Sequence, residues 1–371
     1  MNMKKKITVP LFCFFACSLL LCLAWASDGW KQATGSHVWN FPRDHGSHPD
    51  YRTEWWYFTG NLSDTAGSRY GYQLTFFRQG IRYNLPTPPG PWDIRDVYLG
   101  HFALSDFAKK RFQYAERLSR SGPGLAGAST GNLDVWLLDW SARMTMSAIT
   151  LKARHDQMEV ALTLMPRKPL VFHGQNGLSR KGPGEGQASY YTSFTDLDTE
   201  GFLKTSSNTR IAVTGRSWFD HEFGSNQLTA EQTGWDWFSL SLSDGRDLMI
   251  YFLRRKDGSI EPASSGTLVE ADGTARHLNL SEISVKALEH WQSPRSGARY
   301  PSRWAIQIPS SGIDLTIAPS LADQELVTKG STGVTYWEGA ISGQGTSKNR
   351  FVSCQGYVEL TGYTGSLGSL F

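Results

Sequence analysis

The segment Ser217–Gly224, SWFDHEFG, places three residues that can transfer protons side by side: Asp220, His221 and Glu222. In an extended strand, alternate side chains point to opposite faces, so Asp220 and Glu222 share a face with Trp218 while His221 faces away. A carboxyl group that aromatic rings desolvate has a raised pKa and can serve as a general acid near neutral pH. Asp220 is therefore the first catalytic candidate and His221 the second; the alternative is a carboxylate that caps a turn or pairs with an arginine.

Other kinds of catalytic centre have little support in the sequence. Consecutive Asp, His and Glu residues on a strand have poor spacing for metal ligands. The chain contains no GxSxG nucleophile elbow and no GxxxxGK[ST] phosphate loop. We therefore expect no metal and no cofactor, and no serine hydrolase triad.

A second stretch, YRTEWWYFTGNLSD at residues 51–64, concentrates large rings on one predicted strand. With a period of two, Trp56 and Phe58 point to one face and Trp55 and Tyr57 to the other. Both faces carry rings, so we expect a barrel interior on one side and a neighbouring domain on the other; two packed faces without a ligand are the alternative. Glu54, which precedes the rings, is the third catalytic candidate, with a salt bridge to an arginine as the structural alternative.

Much of this pattern occurs twice along the chain in the same order, which indicates a duplicated domain. The repeated segments would place Arg78 at the same position as Arg254, and Asp220 at the same position as Glu359. Glu54 has no counterpart. The matched segments are 55–64 with 235–244, 74–78 with 250–254, 101–106 with 277–282, 162–166 with 315–319, 190–191 with 336–337, and 213–220 with 352–359. His101 would then correspond to His277, which suggests a shared role in the fold.

The apolar runs are short, rich in aromatic and β-branched residues, and separated by turn signals such as SDG and KDG. This pattern is typical of β-strands joined by tight turns. We predict an all-β protein with two tandem antiparallel β-barrel or sandwich domains, at residues 27–225 and 226–371. A closed barrel would also remove exposed strand edges.

The N-terminal residues 1–26 have the composition of a signal peptide: lysines at 4–6, an apolar run over 7–23, and small residues at 24 and 26. We expect export to the periplasm or the exterior; a lipoprotein tether at Cys17 and a retained membrane anchor are the alternatives. Only Cys354 would remain after cleavage, so no internal disulfide can form. The net charge of +3 with scattered basic residues disfavours a nucleic-acid partner.

Five segments of the chain together resemble a known family: FPRDHGSHPDYRTEWWYFTGNL, GHFALSD, SYYTSF, VTGRSWFDHEFG and GWDWFSLSLSDGRDLMIYFLRR. They are similar to the lipocalin-like family of AttH proteins and carotenoid hydratases, the CrtC group, over about residues 35–365. The resemblance implies two lipocalin-like domains packed together. In the hydratase branch it implies addition of water to an isolated double bond, with an acid in a W-x-D-H segment that corresponds here to Trp218, Asp220 and His221.

We therefore expect a small hydrophobic, isoprenoid or lipid-like ligand, with hydration by general-acid catalysis as the reaction. The alternative is a non-catalytic carrier or an accessory protein of an ABC-type envelope transporter, whose components would then be partners. The glycine-rich loop 173–191 is expected to form a mobile flap over a barrel mouth. The expected ligand wall consists of Trp56, Tyr57, His101, Tyr190, Tyr191, Trp218, Trp235, Trp237 and Tyr251.

Overall fold

The computed structural model describes residues 29–87, 90, 92–205, 209–226 and 228–367. The predicted signal peptide and its three cysteines lie outside the described residues. Apart from three short 3-10 turns at Arg43–His45, Leu280–Glu282 and Pro309–Ser311, the regular structure described is β. Within the described ranges, no helix has the length and apolar character needed to cross a membrane.

The first sheet contains thirteen antiparallel strands and curls until its ends meet, where β3 and β4 pack against β5 and β6. The strand order is β4-β3-β2-β1-β13-β12-β9-β8-β7-β6-β5, with β10 and β11 pairing with β12. The strands are β1 (Thr53–Ser63), β2 (Arg69–Gly80), β3 (Asp96–Asp106), β4 (Arg111–Arg120), β5 (Ala126–Ala128), β6 (Asp134–Leu137), β7 (Trp140–Thr145), β8 (Ala148–His155), β9 (Met158–Pro166), β10 (Val171–Phe172), β11 (Leu178–Arg180), β12 (Ala188–Lys204) and β13 (Ile211–Gly224).

The second sheet contains ten antiparallel strands in the order β17-β16-β15-β14-β23-β22-β20-β19-β18, with β21 pairing with β22. It also curls around its own core. The all-β prediction and the lipocalin-like barrel or half-barrel fold are confirmed. The strands are β14 (Gln232–Leu242), β15 (Asp247–Arg255), β16 (Ser265–Val269), β17 (Ala275–Asn279), β18 (Ser284–Gln292), β19 (Arg299–Ile308), β20 (Ile313–Pro319), β21 (Glu325–Val327), β22 (Thr335–Ser347) and β23 (Arg350–Leu360).

The two sheets share a strand order: β2-β1-β13-β12-β9-β8 in the first corresponds to β15-β14-β23-β22-β20-β19 in the second. Arg78 lies opposite Glu54 in its sheet, and Arg254 lies opposite Gly234 at the corresponding place. β13 ends at Gly224 and β14 begins at Gln232. The division of the chain into residues 27–225 and 226–371 stays a prediction.

The correspondence of His101 with His277 is wrong. His101 lies on β3 opposite Thr75 of β2. Tyr251 occupies the place of Thr75 in the second sheet, and its partner on the next strand is Ser265. His277 lies one strand further out, on β17. The connection between β15 and β16 is shorter than that between β2 and β3. A constant offset from β2 and β15 therefore runs past β16 and reaches β17, where His277 lies.

Each curled sheet is filled by its own side chains. Trp56, Phe58 and Phe219 are fully buried in the core of the first sheet, and Phe238 and Trp304 lie in that of the second. A third apolar cluster, which includes Tyr57, Trp218 and Trp237, packs between the two sheets. The alternation predicted for β1 is therefore seen, but the expected hollow barrel interior is not, since the side chains of Trp56 and Phe58 occupy it.

A substitution at Trp56 tests whether this side chain belongs to the core of the first sheet. Trp56 is 0% exposed and its indole nitrogen donates to the backbone oxygen of His45 at 3.2 Å. We expect Trp56→Ala to lower the free energy of unfolding by about 3–5 kcal/mol, because the site cannot close over the void. The matched control is Trp92→Ala at a side chain that is 84% exposed, with an expected change of about 0.5 kcal/mol or less. Urea unfolding measures both, and equal effects would contradict the assignment.

Candidate functional site

A cavity of about 100 Å³ lies between the two sheets rather than inside either one. Strands of both sheets supply its walls, because the outer faces of β1, β2 and β13 oppose those of β14, β15, β22 and β23. Most of the wall is aromatic or aliphatic, with four carboxyl groups and one ammonium set into it. The lining residues are Trp55, Tyr57, Thr75, Phe77, Lys181, Tyr191, Asp220, Glu222, Leu228, Trp235, Trp237, Tyr251, Leu253, Glu338 and Glu359.

The polar groups of the cavity follow from the register of the two sheets. Reading across the strands, the first sheet presents a row of Ser193, Asp220, Tyr57 and Thr75. The second sheet presents the corresponding row of Glu338, Glu359, Trp237 and Tyr251. Each row puts one carboxyl group at the same place, on β13 or β23, and all of these residues except Ser193 line the cavity.

Asp220 is held by donors from three directions. The indole nitrogen of Trp218 donates to Oδ1 at 2.6 Å, the hydroxyl of Tyr191 donates to Oδ2 at 2.8 Å, and the hydroxyl of Ser193 also donates to Oδ1. Burial raises the pKa of Asp220 to about 7, against the lowering effect of these hydrogen bonds. Its protonated and ionised forms are thus both populated near neutral pH, as a general acid requires.

His173 supports this arrangement from behind. Its Nε2 lies 2.7 Å from the Ser193 hydroxyl and its Nδ1 lies 2.9 Å from the hydroxyl of Thr267 in the second sheet. Burial lowers the pKa of His173 to about 3, so the ring is neutral. Because Ser193 donates to Asp220, the ring must donate to Ser193 and accept from Thr267. The loop that carries His173 is packed and hydrogen-bonded, which differs from the expected mobile flap.

Glu359 repeats the setting of Asp220 in the second sheet. Its Oε2 accepts from the indole nitrogen of Trp235 at 2.8 Å. Burial raises the pKa of Glu359 to about 7, and the nearby charge of Asp220 adds to the shift. Two carboxyl groups thus face one apolar cavity, and each is held by a tryptophan.

Glu338 has no equivalent in the first sheet, where Ser193 occupies its place. It lies directly opposite Glu359 and is 2% exposed. Burial raises its pKa well above the ordinary value, and the adjacent charge of Glu359 raises it further. Neither of its carboxyl oxygens makes a hydrogen bond of ordinary geometry with a described residue, and the same holds for the hydroxyl of Tyr57, which lies near enough to lower the pKa of Glu338.

Lys181 brings a positive charge into the same cavity. Its Nζ lies 2.9 Å from Oε1 of Glu222 and 4.2 Å from the centre of the Tyr251 ring. Burial alone lowers the pKa of Lys181, but the charge of Glu222 reverses this, so the pKa is raised and the ammonium stays charged. The pair is neutral as a unit, although the charge of Asp220 also acts on Lys181. Among the described cavity residues, no further cation balances Glu338 and Glu359.

The structure brings five of the nine residues predicted for the ligand wall to the cavity. Tyr57, Tyr191, Trp235, Trp237 and Tyr251 line the cavity together with Asp220. Trp218 holds Asp220 but does not form part of the wall.

The remaining three lie elsewhere. Trp56 is in the core of the first sheet, and Tyr190 packs against Tyr51 and Phe223 on the far side of β12 and β13. His101 bridges the sheets, with Nδ1 at 2.6 Å from the hydroxyl of Tyr336.

Glu54 and His221 form a separate network on the opposite face of β1 and β13. The Glu54 carboxylate is 0% exposed and accepts from Arg78 Nε at 3.0 Å, from the Ser47 hydroxyl at 2.9 Å and from the backbone nitrogen of His48 at 2.9 Å. His221 Nε2 lies 2.9 Å from the same carboxylate. Burial alone raises the pKa of Glu54. The Arg78 charge and these hydrogen bonds outweigh burial and hold the pKa well below its usual range. The alternative reading of Glu54, a salt bridge to an arginine, describes this geometry.

The same network gathers the side chains that are best suited to bind a metal. One nitrogen each from His48 and His221 and one oxygen from Glu54 lie within 4.8 Å of one another, as do ligand atoms of His37, Asp44 and His48. Consecutive residues on one strand have poor spacing for metal ligands, but the residues of these two groups come from separate segments of the chain. The Arg78 guanidinium already balances Glu54, however, and hydrogen bonds occupy the carboxylate.

Four charged cavity residues are not among the candidates that the sequence predicts. Glu359 is the counterpart of Asp220, and Glu338 directly follows the matched pair at residues 336–337. Lys181 lies in the glycine-rich loop, and Glu222 lies two residues after Asp220. The usable signal was the duplication, because carrying Asp220 and its neighbours to the second copy points to β22 and β23.

The Glu54 network should govern stability rather than chemistry. We expect Glu54→Gln to lower the free energy of unfolding by about 3–5 kcal/mol, because it leaves the Arg78 charge buried with fewer partners. Asp93→Asn, which removes the partner of the exposed Arg82 at 2.9 Å, is the control, with an expected loss of about 0–1 kcal/mol. Denaturant unfolding reports both values. Normal stability of Glu54→Gln would place Glu54 in chemistry instead.

Comparison with known proteins gives a consistent picture. The model of the AttH-like family matches residues 32–363. An AttH protein from Nitrosomonas europaea has a crystal structure with a TM-score of 0.80 and 35% identity, covering 90% of this chain and 99% of that one.

Two further structures share the fold at lower identity. Kievitone hydratase from Nectria haematococca has a TM-score of 0.68 and 17% identity, over 91% of this chain and 97% of that one. CghA has a TM-score of 0.55 and 12% identity, over 90% and 95%. No relative was found among curated protein sequences. The family model spans most of the chain and the Nitrosomonas protein is a clear homologue, so this chain belongs to the AttH-like family.

Proposed function

We propose that this protein is exported, binds a small hydrophobic ligand between its two sheets, and adds water to an isolated double bond of that ligand with Asp220 as the general acid. The observation that carries the proposal is the setting of Asp220: a buried carboxyl group with a pKa of about 7 that faces an aromatic cavity. A surface carboxylate would already be ionised at this pH and could not protonate carbon.

The cavity dimensions favour the end of a longer molecule. An apolar cavity of about 150 Å³ takes up benzene, so about 100 Å³ admits a short branched end group such as that of a prenyl chain. The remainder of the ligand would extend through the opening. An isoprenoid or lipid-like molecule has this shape.

The reaction would proceed in two balanced steps. Asp220 transfers its proton to one alkene carbon, which leaves a tertiary cation on the other carbon and a carboxylate on Asp220. The oxygen of a water molecule then bonds to the cation and its extra proton returns to a carboxylate, giving a tertiary alcohol. The rings of Tyr57, Trp235 and Trp237 lie where they can stabilise the cation by about 0.5–2 kcal/mol each.

The likeness to kievitone hydratase supports the same reaction class. That protein is named as a hydratase and shares the fold over 91% of this chain. At 17% identity the likeness concerns the fold, so the activity enters here as part of the proposal. The non-catalytic alternative, a carrier or an accessory to an envelope transporter, needs only the apolar walls when its ligand is neutral, and such a ligand has no use for unneutralised carboxyl groups.

Asp220→Asn tests the acid. With citronellol as a probe, which carries one isolated trisubstituted alkene, we expect the variant to lose roughly 10²–10⁴ in turnover because it has no transferable proton. Its affinity for the probe should change little. Mass spectrometry of the hydrated product in ¹⁸O-labelled water measures turnover, and quenching of cavity tryptophan fluorescence measures binding.

The control for this test is Asp236→Asn, which removes a part-buried carboxyl group that pairs with Arg254 at 2.9 Å outside the cavity. It should retain turnover once folding is verified by thermal melting. Binding of the probe without any hydration by the unaltered protein would favour the carrier. Hydration by Asp220→Asn at the unaltered rate would remove the acid assignment.

The pH profile provides an independent check. The acid must carry its proton, so turnover should be full below the pKa of about 7 and fall as pH rises through it. Infrared spectroscopy should show a protonated carboxyl band that disappears over the same range. Asp220→Asn should lose one component of this band and keep the Glu359 component, whose midpoint should move to lower pH because the Asp220 charge no longer raises that pKa. A profile that is flat across neutral pH would contradict the assignment.

A further inference from the structure

The cavity contains three buried polar atoms that stand outside the hydrogen-bond network of the described strands. Both carboxyl oxygens of Glu338 and the hydroxyl oxygen of Tyr57 make no hydrogen bond of ordinary geometry within the described part of the chain, although the Tyr57 hydroxyl lies close enough to lower the pKa of Glu338. Glu338 is 2% exposed and Tyr57 is 7% exposed, and both line the cavity. Buried polar groups normally have partners, so this arrangement leaves acceptor capacity for a ligand group that donates hydrogen bonds.

The fold does not require Glu338. At the corresponding place in the first sheet, Ser193 lies opposite Asp220 and donates to it. In the second sheet Glu338 lies opposite Glu359, and like charges opposite each other on adjacent strands are destabilising. Packing would be satisfied by a serine, so the carboxyl group at position 338 calls for another explanation.

The charge balance of the cavity points to a positively charged ligand. When every group is ionised, the cavity wall has an excess of negative charge. Without a bound cation, this excess is relieved when carboxyl groups of the wall take up protons. The ionisable groups that face Glu338 from the surrounding strands and loop are Asp220 and Glu222 on β13, Glu359 and Tyr357 on β23, Tyr336 on β22, Tyr57 on β1, Tyr191 on β12, Tyr251 on β15 and the single ammonium of Lys181.

The aromatic part of the wall suits the same ligand. Tyr57 and Trp237 contact each other edge to face with ring centres 5.2 Å apart, and Trp55 and Trp235 also line the cavity. Faces of tryptophan and tyrosine attract organic cations, and combined with a carboxylate they form cages for alkylated ammonium groups.

We propose that the cavity binds an organic cation, a protonated amine with an apolar tail, whose N–H group donates to Glu338 and Tyr57 while its alkyl groups contact the tryptophan faces. The ligand class is thus narrower than a hydrophobic molecule. The proposal rests on the cavity named in the proposed function but not on hydration. Within that function, the same groups would stabilise the transient tertiary cation, for which the ammonium is a stable mimic.

The test uses dimethylhexylamine, which is protonated near neutral pH because alkylamines have a pKa of about 10. The comparison ligand is its neutral isostere with carbon in place of nitrogen. We expect the amine to bind at least about tenfold more tightly than the isostere. One or two cation–π contacts, together with the charge pair to a carboxylate, can supply this difference in affinity. Tryptophan fluorescence reports both affinities.

Calorimetry adds a second readout. Binding of a cation should drive protons from the carboxyl groups, so the measured enthalpy should depend on the ionisation enthalpy of the buffer. The neutral isostere should show no such dependence. Absence of proton release with tight amine binding would place the amine away from the acids and overturn the proposal.

Three variants locate the effect. Glu338→Gln and Glu338→Ser, the second of which reproduces the first sheet, should bind both ligands within about threefold of each other. Glu261→Gln is the control, because Glu261 is buried but pairs with Arg255 at 2.6 Å outside the cavity; it should keep the preference. Thermal melting verifies that each variant is folded.

The outcomes distinguish this inference from the proposed function. If the unaltered protein binds the amine and the isostere equally well, the cation site is refuted while a hydrophobic ligand site remains. If neither ligand nor citronellol binds, the cavity itself is refuted as the binding site, and both proposals fall. If Glu338→Ser keeps the full preference for the amine, Glu338 is not the counter-charge.

Discussion

The burial of carboxyl groups between two sheets is the constraint on which the rest of the site depends. Asp220 and Glu359 occupy corresponding places in the two strand orders, and each is oriented by an indole N–H, from Trp218 at 2.6 Å and from Trp235 at 2.8 Å. Transfer of an unpaired carboxylate from water to an apolar site is costly, and the group responds by keeping its proton. The raised pKa values of about 7 are thus a consequence of geometry that a duplicated fold supplies twice.

The opposite face of the same strands shows what happens when charges are matched. Glu54 and Arg78 are both buried, and Arg78 also pairs with Asp96 at 2.9 Å and donates to the backbone oxygen of Tyr51 at 2.7 Å. That network fixes the segment before β1 onto the first sheet. One strand, β1, therefore has a fully paired charge on one face. On the other face it carries the Tyr57 hydroxyl, which makes no hydrogen bond of ordinary geometry with the described residues. Both faces are buried, so burial does not distinguish them. The difference lies in whether the charged and polar groups have partners, which marks the Glu54 network as structural and the cavity as the candidate site.

The sequence was sufficient for the strand content, for the faces of β1 and β13, and for the burial of Asp220 among aromatic rings, because each depends on a period of two and on local composition. The catalytic role of Asp220 stays a prediction. It was not sufficient for the location of the cavity. Trp56 and Tyr57 are neighbours of the same chemical kind, yet one fills a core and the other lines the cavity, and only the packing of the second sheet decides which. His101 shows a further limit: a constant offset to His277 was produced by loop lengths, whereas the strand register assigns its place to Ser265.

The difference between Ser193 and Glu338 bears on whether the cavity serves storage or chemistry. In the first sheet the residue beside the acid, Ser193, donates a hydrogen bond that lowers the pKa of Asp220. In the second sheet the residue beside the acid is another carboxyl group, Glu338, whose own pKa the charge of Glu359 raises. A carrier of a neutral apolar ligand gains nothing from this asymmetry, since the rings alone hold such a ligand; a carrier of an organic cation would use the carboxyl groups. A site that must accommodate positive charge gains a proton donor on one wall and a counter-charge on the other. If the cavity binds a cation as proposed, the unfavourable placement of Glu338 opposite Glu359 is the local cost of that complementarity.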